Sequence, residues 1–247
     1  MDGTNPFRLD GRRVLVTGAS SDIGRAIAIA CADAGADLIV TGRDAGRLAG
    51  TCSALAGNGE RIAIQADLTN SADRERLADL AGPLDGFVHA AAIADPMLLR
   101  SLTSDYVHQR LELNYVAPML LLKAQFARHG VRDGGSIVFI SSISAHAGTR
   151  AMSVYAATKA AQVASARCLA LELAPRRIRA NCISPAIVVT SVYETLGEKW
   201  LDEQAKRYPL GLGRPQDVAH AALFLLADAS RWITGQALLL DGACPWV

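Results

Sequence analysis

The segment Tyr155-Ala156-Ala157-Thr158-Lys159 places a phenol and an ammonium group four residues apart. On a helix, side chains at this spacing project from the same face, so both groups reach the same space. A nearby cation stabilises phenolate relative to phenol and lowers the pKa of a tyrosine from about 10 toward neutrality. Such a phenol donates a proton to a carbonyl oxygen or accepts one from an alcohol. Taken alone, this spacing is also common on solvated helix faces.

A serine hydroxyl precedes this pair. Ser142 lies thirteen residues before Tyr155 and directly follows a predicted buried strand, Ser136–Ser141. A strand, a loop and a helix carrying serine, tyrosine and lysine in this order make chance a poor explanation. Ser141 is the alternative serine, but the spacing selects Ser142.

The elements that must position these groups alternate between short β-branched apolar runs and longer stretches rich in Ala and Leu. This alternation predicts an α/β fold, a three-layer, doubly wound, seven-stranded parallel sheet (Rossmann fold) in a single domain over residues 1–247. The predicted strands are Arg13–Thr17, Asp37–Thr41, Arg61–Gln65, Gly86–Ala90, Ser136–Ser141, Arg179–Ser184 and Ala237–Leu240. The predicted helices are Ile23–Ala34, Ser71–Ala81, Ser104–His129, Val154–Ala174 and Asp217–Leu226.

The segment Val14–Arg25 runs from the first predicted strand into the first helix and contains two glycines. Gly18 permits a tight exit from the strand, and Gly24 lets the helix approach the sheet closely. The free N–H groups at the helix start can then bind a pyrophosphate, with hydroxyl donors added by Ser20 and Ser21. This position in the chain predicts a dinucleotide site more strongly than a pair of glycines alone would.

The residue after the second predicted strand discriminates between the two nicotinamide dinucleotides. A carboxylate there would accept hydrogen bonds from the ribose 2′-hydroxyl and favour NAD. Gly42 occupies that place, and Arg43 follows with a guanidinium that can bind a 2′-phosphate. We therefore predict NADP(H) as the cofactor. The alternative for Arg43 is a solvated side chain on a surface turn.

Together these segments resemble the short-chain dehydrogenase/reductase family, and the C-terminal part resembles its bacterial 3-oxoacyl-[acyl-carrier-protein] reductases. Asn114, Ser142, Tyr155 and Lys159 match the family's catalytic group without deviation. The resemblance implies that Ser142 hydrogen-bonds the substrate oxygen and that Tyr155 exchanges the proton. It also implies that Lys159 tunes Tyr155 and binds the nicotinamide ribose, while Asn114 holds a water that links Lys159 to solvent.

Three glycine-containing motifs of the family deviate in this chain. Asp22 replaces the middle glycine of the phosphate loop, and we expect its side chain to turn inward and cap backbone N–H groups, with cofactor binding retained. Ala92 and Ala186 replace glycines in two later motifs, and the changes over His89–Ala92 are expected to loosen the link to the helix carrying Asn114.

The resemblance also implies further cofactor contacts. Asp67 would meet the adenine amino group, although an aspartate at a strand end is by itself more often a turn cap. Val188 and Thr190 would hold the nicotinamide carboxamide. The complete predicted cofactor-binding set is Gly18, Ser20, Ser21, Asp22, Ile23, Gly24, Arg43, Asp67, Leu68, Ala90, Ala91, Tyr155, Lys159, Pro185, Val188 and Thr190.

Composition excludes several other classes of function. Twenty-five basic and 24 acidic residues give a formal net charge of +1, which provides no field for nucleic acid or anionic lipid. The five cysteines are scattered and the histidines lack ligand spacing, so no disulfide framework or metal site is predicted. No signal peptide and no apolar run long enough for a membrane span are found, and we expect a cytoplasmic protein.

We therefore expect an NADPH-dependent reductase that converts a ketone into a secondary alcohol, with a 3-oxoacyl thioester on a carrier protein or coenzyme A as the leading substrate. Reduction or oxidation of a specialised metabolite, steroid or sugar is the alternative within the family. A non-catalytic NADP-binding scaffold or sensor is the alternative of another class. The stretch Ile187–Leu212 is predicted to form a substrate lid, or else an ordinary surface helix and loop. The resemblance implies a homotetramer or homodimer.

Overall fold

The computed structural model describes residues 5–194 and 197–244 and contains one seven-stranded parallel sheet with strand order β3-β2-β1-β4-β5-β6-β7. The strands are β1 Arg13–Thr17, β2 Asp37–Gly42, β3 Arg61–Gln65, β4 Leu84–His89, β5 Val131–Ile140, β6 Arg179–Pro185 and β7 Ala237–Leu240. The helices are α1 Asp22–Asp33, α2 Ala45–Ser53, α3 Ser71–Ala81, α4 Ser104–Leu111, α5 Ala117–Arg128, α6 Ser153–Glu172, α7 Ser191–Glu194, α8 Glu198–Ala205 and α9 Pro215–Leu226. This architecture confirms the predicted doubly wound fold.

Helices cover both faces of the sheet, which explains why the central strands are apolar at consecutive positions. Val14 and Val16 of β1 pack with α1 and α9 on one face. Leu15, between them, packs with α3, α5 and α6 on the other face. Successive side chains of a strand point to opposite faces, so a strand buried on both faces needs apolar residues throughout.

The strand order reverses beside β1, whose neighbours are β2 and β4. The chain winds outward in both directions from this point, and the helices that follow β1 and β4 lie on opposite faces of the sheet. A crevice consequently opens beyond the carboxyl ends of the two strands, which is where open α/β sheets bind their ligands. The predicted phosphate loop follows β1 directly and therefore lies at this crevice.

The structure adds helices α7 and α8 within the predicted lid and differs from the sequence prediction at three further elements. Helix α2 was not predicted because Gly46 and Gly50 lower its helix propensity; the Asp44 carboxylate caps its start by accepting the Arg47 amide. The long helix predicted over Ser104–His129 is divided by a π-helical segment, Glu112–Val116. Strand β5 begins at Val131 rather than Ser136, through an irregularity in its pairing with β4.

Several large apolar side chains are exposed at the β7 end of the sheet. Trp232 is 91% exposed, and Leu238 and Leu239 of β7 are more than one-third exposed. β7 is an edge strand, so its outer backbone groups have no strand neighbour among the residues that the structure describes. Across residues 5–194 and 197–244, no helix combines the length and the apolar character that crossing a bilayer requires.

Candidate active site

Three of the predicted catalytic side chains converge where β5 ends and α6 begins. Ser142 follows β5 and caps a 3₁₀ turn by accepting a hydrogen bond from the Ser144 amide at 3.2 Å. Tyr155 and Lys159 lie on the first turns of α6, and the Ser142 hydroxyl is near enough to the Tyr155 phenol to lower its pKa. Ser141, the alternative serine, instead donates to the Lys159 carbonyl at 2.9 Å and so has a structural role.

The Lys159 ammonium group is fully enclosed by protein. Its Nζ donates a hydrogen bond to the Ile140 carbonyl at 2.6 Å and lies 5.6 Å from the centre of the Tyr155 ring. Burial disfavours the charged form and lowers the pKa of Lys159 to about 7. The amine therefore changes its charge in the physiological range.

The pKa of Tyr155 moves in the direction opposite to the one predicted. Burial raises it to about 12, hydrogen bonding from Ser142 lowers it, and the nearby Tyr193 raises it further. The predicted lowering toward neutrality is wrong for this arrangement of protein atoms. Desolvation of the phenolate outweighs its polar contacts, and the Lys159 amine is directed at the Ile140 carbonyl.

Asn114 lies within the π-helical segment and connects three elements. Its side-chain oxygen accepts the Ile93 amide at 2.8 Å, and its side-chain nitrogen donates to the Ile93 carbonyl at 3.0 Å and to Thr158 Oγ1 at 3.2 Å. Thr158 directly precedes Lys159 on α6. We expected the changes over His89–Ala92 to loosen the link to the helix carrying Asn114, and this is wrong. Asn114 bonds the backbone amide and carbonyl of Ile93, and these bonds do not require a particular side chain at the neighbouring positions.

A cleft of about 130 Å³ opens at the carboxyl ends of β1, β2 and β4, and we call it the glycine-loop cleft. Seven of the sixteen predicted cofactor residues line it: Gly18, Ser20, Ser21, Arg43, Leu68, Ala90 and Ala91. Its other lining residues are Thr41, Gly42, Ala66, Ala92 and Leu113. The cleft therefore lies at the crevice that the strand order creates.

Two glycines let the backbone approach itself closely at this cleft. A Cβ on Gly18 would lie 2.6 Å from the Ala91 nitrogen, and one on Gly24 would lie 2.2 Å from the Gly18 carbonyl oxygen. Gly18 also has a positive φ of 68°, which side chains rarely adopt. The loop thus turns tightly and leaves the amides at the start of α1 accessible, an arrangement that fits a pyrophosphate.

The end of β2 has no room for a carboxylate. A Cβ on Gly42 would lie 2.7 Å from Ser20 Oγ, so the Ser20 hydroxyl fills the space that an acidic side chain would need. Arg43 is exposed beside the cleft, with its backbone carbonyl accepting a hydrogen bond from Gln65. The two residues at the end of β2 are therefore a glycine and an exposed arginine, and neither carries a carboxylate.

Asp22 does not turn inward as expected. Its carboxylate reaches away from α1 to the start of α7, where Oδ1 accepts the Ser191 amide at 3.1 Å and Oδ2 accepts the Ser191 hydroxyl at 2.9 Å. The predicted cap is therefore wrong in its location, because the Asp22 carboxylate bonds Ser191 in the predicted lid segment. The backbone of Asp22 has a φ of 39°, consistent with a position that favours glycine.

Comparison with known proteins identifies the family. A family model described as enoyl-(acyl carrier protein) reductase matches residues 18–243. The chain belongs to the short-chain dehydrogenase/reductase family. It is therefore an oxidoreductase of the class that interconverts alcohols and carbonyl compounds with a nicotinamide cofactor.

The relatives of this short-chain dehydrogenase/reductase differ in substrate. An uncharacterised oxidoreductase of Methylorubrum extorquens is 35% identical over 95% of this chain and 98% of its own. A 3-oxoacyl-[acyl-carrier-protein] reductase of Chlamydia pneumoniae is 31% identical over 95% of this chain and 97% of its own. The solved structure of 7α-hydroxysteroid dehydrogenase with NADH and 7-oxo glycochenodeoxycholic acid has a TM-score of 0.91 and 28% identity, covering 100% of this chain and 99% of its own.

The other predicted cofactor residues of this short-chain dehydrogenase/reductase are distributed over several elements. Ile23 lies in α1 and packs against the core, and Pro185 ends β6. Val188 forms a bridge with Gly213, and Thr190 directly precedes α7. The Asp67 carboxylate accepts hydrogen bonds from the backbone and hydroxyl of Thr69, so it acts as a turn cap in this structure.

His89 was missed as a residue of interest. It ends β4, is completely buried, and its Nδ1 lies 2.9 Å from Thr17 Oγ1, while its Nε2 is buried and has no hydrogen-bond partner within residues 5–194 and 197–244. Burial, followed by the positive charge of Lys159, lowers its pKa to about 3, so the imidazole is neutral. The signal available in the sequence was a histidine where the family motif has asparagine.

Gln162 was also missed. Its side-chain nitrogen donates to the Asn114 carbonyl at 2.7 Å, and its side-chain oxygen is buried with no hydrogen-bond partner in the described part of the chain. The family resemblance assigns a water to Asn114, and in this chain the Gln162 amide contacts that same residue. A glutamine on the buried face of an otherwise Ala-rich helix was the available signal.

Two aromatic rings of the predicted lid stack on each other. The Tyr193 ring of α7 and the Trp200 ring of α8 are 5.5 Å apart and inclined by 8°. Tyr193 is close enough to Tyr155 to raise its pKa, so the stack lies near the candidate catalytic phenol. On another side, His146 Nε2 lies 3.0 Å from Ser184 Oγ, which gives that histidine a structural partner.

Proposed function

We propose that the chain is an NADPH-dependent reductase that converts a ketone into a secondary alcohol. The observation that carries this proposal is that two sites lie at the same edge of the sheet. Ser142, Tyr155 and Lys159 come together where β5 ends and α6 begins, and the glycine-loop cleft lies at the carboxyl ends of β1, β2 and β4. Substrate and cofactor sites that meet in this way are what direct transfer between two bound molecules requires.

The candidate catalytic group, Asn114, Ser142, Tyr155 and Lys159, suits the reductive direction. A bound nicotinamide supplies the hydride. A phenol with a pKa of about 12 keeps its proton at neutral pH, so Tyr155 Oη holds a proton that it can donate to the substrate oxygen. The Ser142 hydroxyl donates a hydrogen bond to the same oxygen and stabilises the charge that develops there. Lys159 supplies positive charge behind the phenol when it is protonated.

Preference for NADP(H) rests on the end of β2. Ser20 fills the space of the carboxylate that would bind a 2′-hydroxyl, and Arg43 presents a guanidinium at the rim of the cleft. A guanidinium binds a phosphate through charge-assisted hydrogen bonds and gains little from a neutral ribose. NADPH is the form associated with reduction, which agrees with the protonated phenol.

A 3-oxoacyl thioester, carried by a carrier protein or by coenzyme A, is the leading substrate class. The 3-oxoacyl reductase of Chlamydia pneumoniae supports it, since similarity extends over 95% of this chain. A fused-ring ketone is a second candidate, favoured by the stacked Tyr193 and Trp200 rings near Tyr155 and by the likeness to the hydroxysteroid dehydrogenase structure. Sugar and specialised-metabolite ketones are the remaining candidates.

We further propose that the enzyme acts in the cytoplasm as a homotetramer or homodimer. Leu171 of α6 is 80% exposed, and Leu238 and Leu239 lie on the β7 edge. Association through α6 and β7 would cover these side chains and the free strand edge.

The test is a titration of purified protein with NADPH and NADH by nicotinamide fluorescence, followed by turnover on a panel of 3-oxoacyl thioesters, steroid ketones and sugar ketones. Tighter binding of NADPH and reduction of at least one class are expected. Binding without turnover of any ketone would favour the scaffold or sensor. Tighter binding of NADH, with alcohol oxidation, would overturn both the cofactor preference and the direction.

A further inference from the structure

Asp22 occupies a backbone position that disfavours it. Its φ of 39° lies in the left-handed region, where a residue with a Cβ is strained relative to glycine. Of the two other motif positions where this chain replaces a family glycine, neither Ala92 nor Ala186 has a positive φ. Asp22 is thus the replacement that needs a compensating interaction.

The compensating interaction spans 169 residues of sequence. Both oxygens of the Asp22 carboxylate accept hydrogen bonds from Ser191, one from its amide at 3.1 Å and one from its hydroxyl at 2.9 Å. Ser191 is the first residue of α7 and immediately follows Thr190. We call this pair of hydrogen bonds the clasp. It joins the phosphate loop directly to the start of the predicted lid.

The clasp restricts the movement of α7 as well as that of Ser191. α7 carries Tyr193, whose ring stacks on Trp200 of α8 and whose proximity raises the pKa of Tyr155. Anchoring the first residue of a helix of four residues limits how far its other side chains can move. The position of the aromatic wall beside the candidate catalytic phenol therefore depends on Asp22.

The carboxylate also has an electrostatic effect on ligand binding. Asp22 is the first residue of α1, the helix whose free amides are proposed to bind the pyrophosphate. A negative side chain at this helix start repels a dianionic pyrophosphate, and solvent weakens the repulsion because the site is partly exposed. A glycine at this position would have no such effect.

We propose that Asp22 is a positioning residue that clasps the lid to the phosphate loop and at the same time weakens dinucleotide binding. This inference rests on the proposed function for its second half, the effect on NADPH. The first half, the anchoring of α7, is a property of the protein alone. The chain gains an ordered wall at the substrate side and binds its cofactor less tightly.

Four variants separate the two effects. Asp22→Asn removes the charge and keeps a side chain that can hydrogen-bond both the amide and the hydroxyl of Ser191. Asp22→Gly removes the charge and the clasp together, and Ser191→Ala removes one hydrogen bond without changing charge. Asp33→Asn is the matched control, because it removes one negative charge from the exposed far end of α1, about 16 Å away.

The expected dissociation constants for NADPH, measured by fluorescence titration, follow the charge. Asp22→Asn and Asp22→Gly bind about threefold to tenfold more tightly than the wild type. Ser191→Ala and Asp33→Asn stay within about twofold of it. An unchanged dissociation constant in both Asp22 variants would overturn the electrostatic half of the proposal.

Hydrogen exchange of the free protein tests the anchoring half. The Ser191 amide itself donates to Asp22, so its exchange is expected to rise about tenfold or more in Asp22→Gly and little in Asp22→Asn. Ser191→Ala should raise the KM for ketone in the protein that keeps Asp22 and have no further effect in Asp22→Gly, since the carboxylate is already absent there. Equal exchange at Ser191 in wild type and Asp22→Gly would overturn the clasp.

The two proposals fail in different ways. If none of the variants or the wild type binds either dinucleotide, the proposed function fails, while the exchange experiment still decides whether the clasp exists. If NADPH binds and the Ser191 amide exchanges at the same rate in the wild type and in Asp22→Gly, the proposed function stands and the positioning role of Asp22 is wrong.

Discussion

The candidate catalytic group and the glycine-loop cleft keep the family pattern to different degrees. Asn114, Ser142, Tyr155 and Lys159 match it at every position, whereas the motifs around the cofactor site are altered at Asp22, Ala92 and Ala186. The proposed roles of the four side chains depend on particular atoms: a phenol oxygen, a serine hydroxyl, an amine and an amide bonded on both sides. The cleft is lined mainly by glycine, alanine and serine, and a backbone position accepts any side chain that its conformation and its neighbours permit.

The glycines that remain show where that tolerance ends. At Gly18 and Gly24, a Cβ would lie 2.6 Å and 2.2 Å from backbone atoms that cannot move aside. At Ala92 and Ala186 the backbone lies outside the left-handed region, so a side chain causes no strain there. The comparison teaches that a motif glycine can be replaced without strain where the backbone makes no close approach and has no positive φ. Asp22, at a φ of 39°, is the replacement that breaks this rule, and its carboxylate is held by hydrogen bonds from Ser191.

The largest expected effect is the loss of the phenol. Tyr155→Phe removes the proton donor while keeping the ring, and kcat for ketone reduction should fall by about a thousandfold. NADPH affinity should change much less, because the cleft is built from other residues. Steady-state kinetics and fluorescence titration measure the two quantities.

Tyr106→Phe is the control for that experiment. Tyr106 is buried and donates its hydroxyl proton to the Asp95 carbonyl, so its loss removes one phenolic hydrogen bond elsewhere. Its kcat should stay within about twofold of the wild type. A Tyr155→Phe enzyme that retains a tenth of its activity would show that the catalytic group is as replaceable as the cleft.

A smaller effect is expected at the cleft rim. Arg43→Ala should lower kcat/KM for NADPH by about tenfold to a hundredfold and leave kcat/KM for NADH unchanged, since only the 2′-phosphate uses the guanidinium. Arg47→Ala, which removes an equally exposed guanidinium one turn along α2, is the control. Parallel losses with both dinucleotides would mean that Arg43 acts through the fold rather than through the phosphate.

His89 lies between the candidate catalytic group and the glycine-loop cleft, and its protonation can be tested by measuring the free energy of unfolding at different pH values. Its pKa is about 3 when folded and 6.5 when exposed, so the unfolded chain takes up a proton that the folded chain refuses. Stability therefore falls as pH drops below 6.5, by about 2 kcal/mol at pH 5. His89→Asn should remove that part of the decline in urea unfolding at pH 7.5 and pH 5. His220→Asn, at an exposed position on α9, should leave it intact. If the acid sensitivity of His89→Asn equals that of the wild type, the imidazole is not held neutral.

The smallest effect is expected where the comparison says that glycine is dispensable. Ala92→Gly should change the dissociation constant for NADPH by less than about twofold, because the exposed alanine already adopts an unstrained backbone. Gly18→Ala is its counterpart and should prevent measurable binding, since the added Cβ meets the Ala91 backbone. Tighter binding by tenfold in Ala92→Gly would show that the lost glycine matters after all.

Sequence patterns predicted what depends on local order. Alternating apolar runs gave the seven strands, and the positions of Ser142, Tyr155 and Lys159 relative to β5 and α6 were sufficient to place them together. The missed features depend on distant partners. The direction of the Asp22 carboxylate is set by Ser191, 169 residues away, and the Tyr155 pKa is set by how completely the folded chain surrounds the phenol. Helix α2 was missed because two glycines mask a helix that tertiary packing stabilises.

The π-helical segment Glu112–Val116 has a consequence for how the chain can change length. A π turn accommodates one more residue than an α turn, and each residue of an α-helix rotates the following side chains by about 100°. Deleting a single residue between Thr103 and Asn114 would let the segment relax into a regular helix and swing the Asn114 amide away from Ile93. We therefore expect an insertion or deletion in this helix to displace Asn114, whereas one in an outer loop would leave Asn114 in place. The length of the helix thus determines the position of Asn114 in the site.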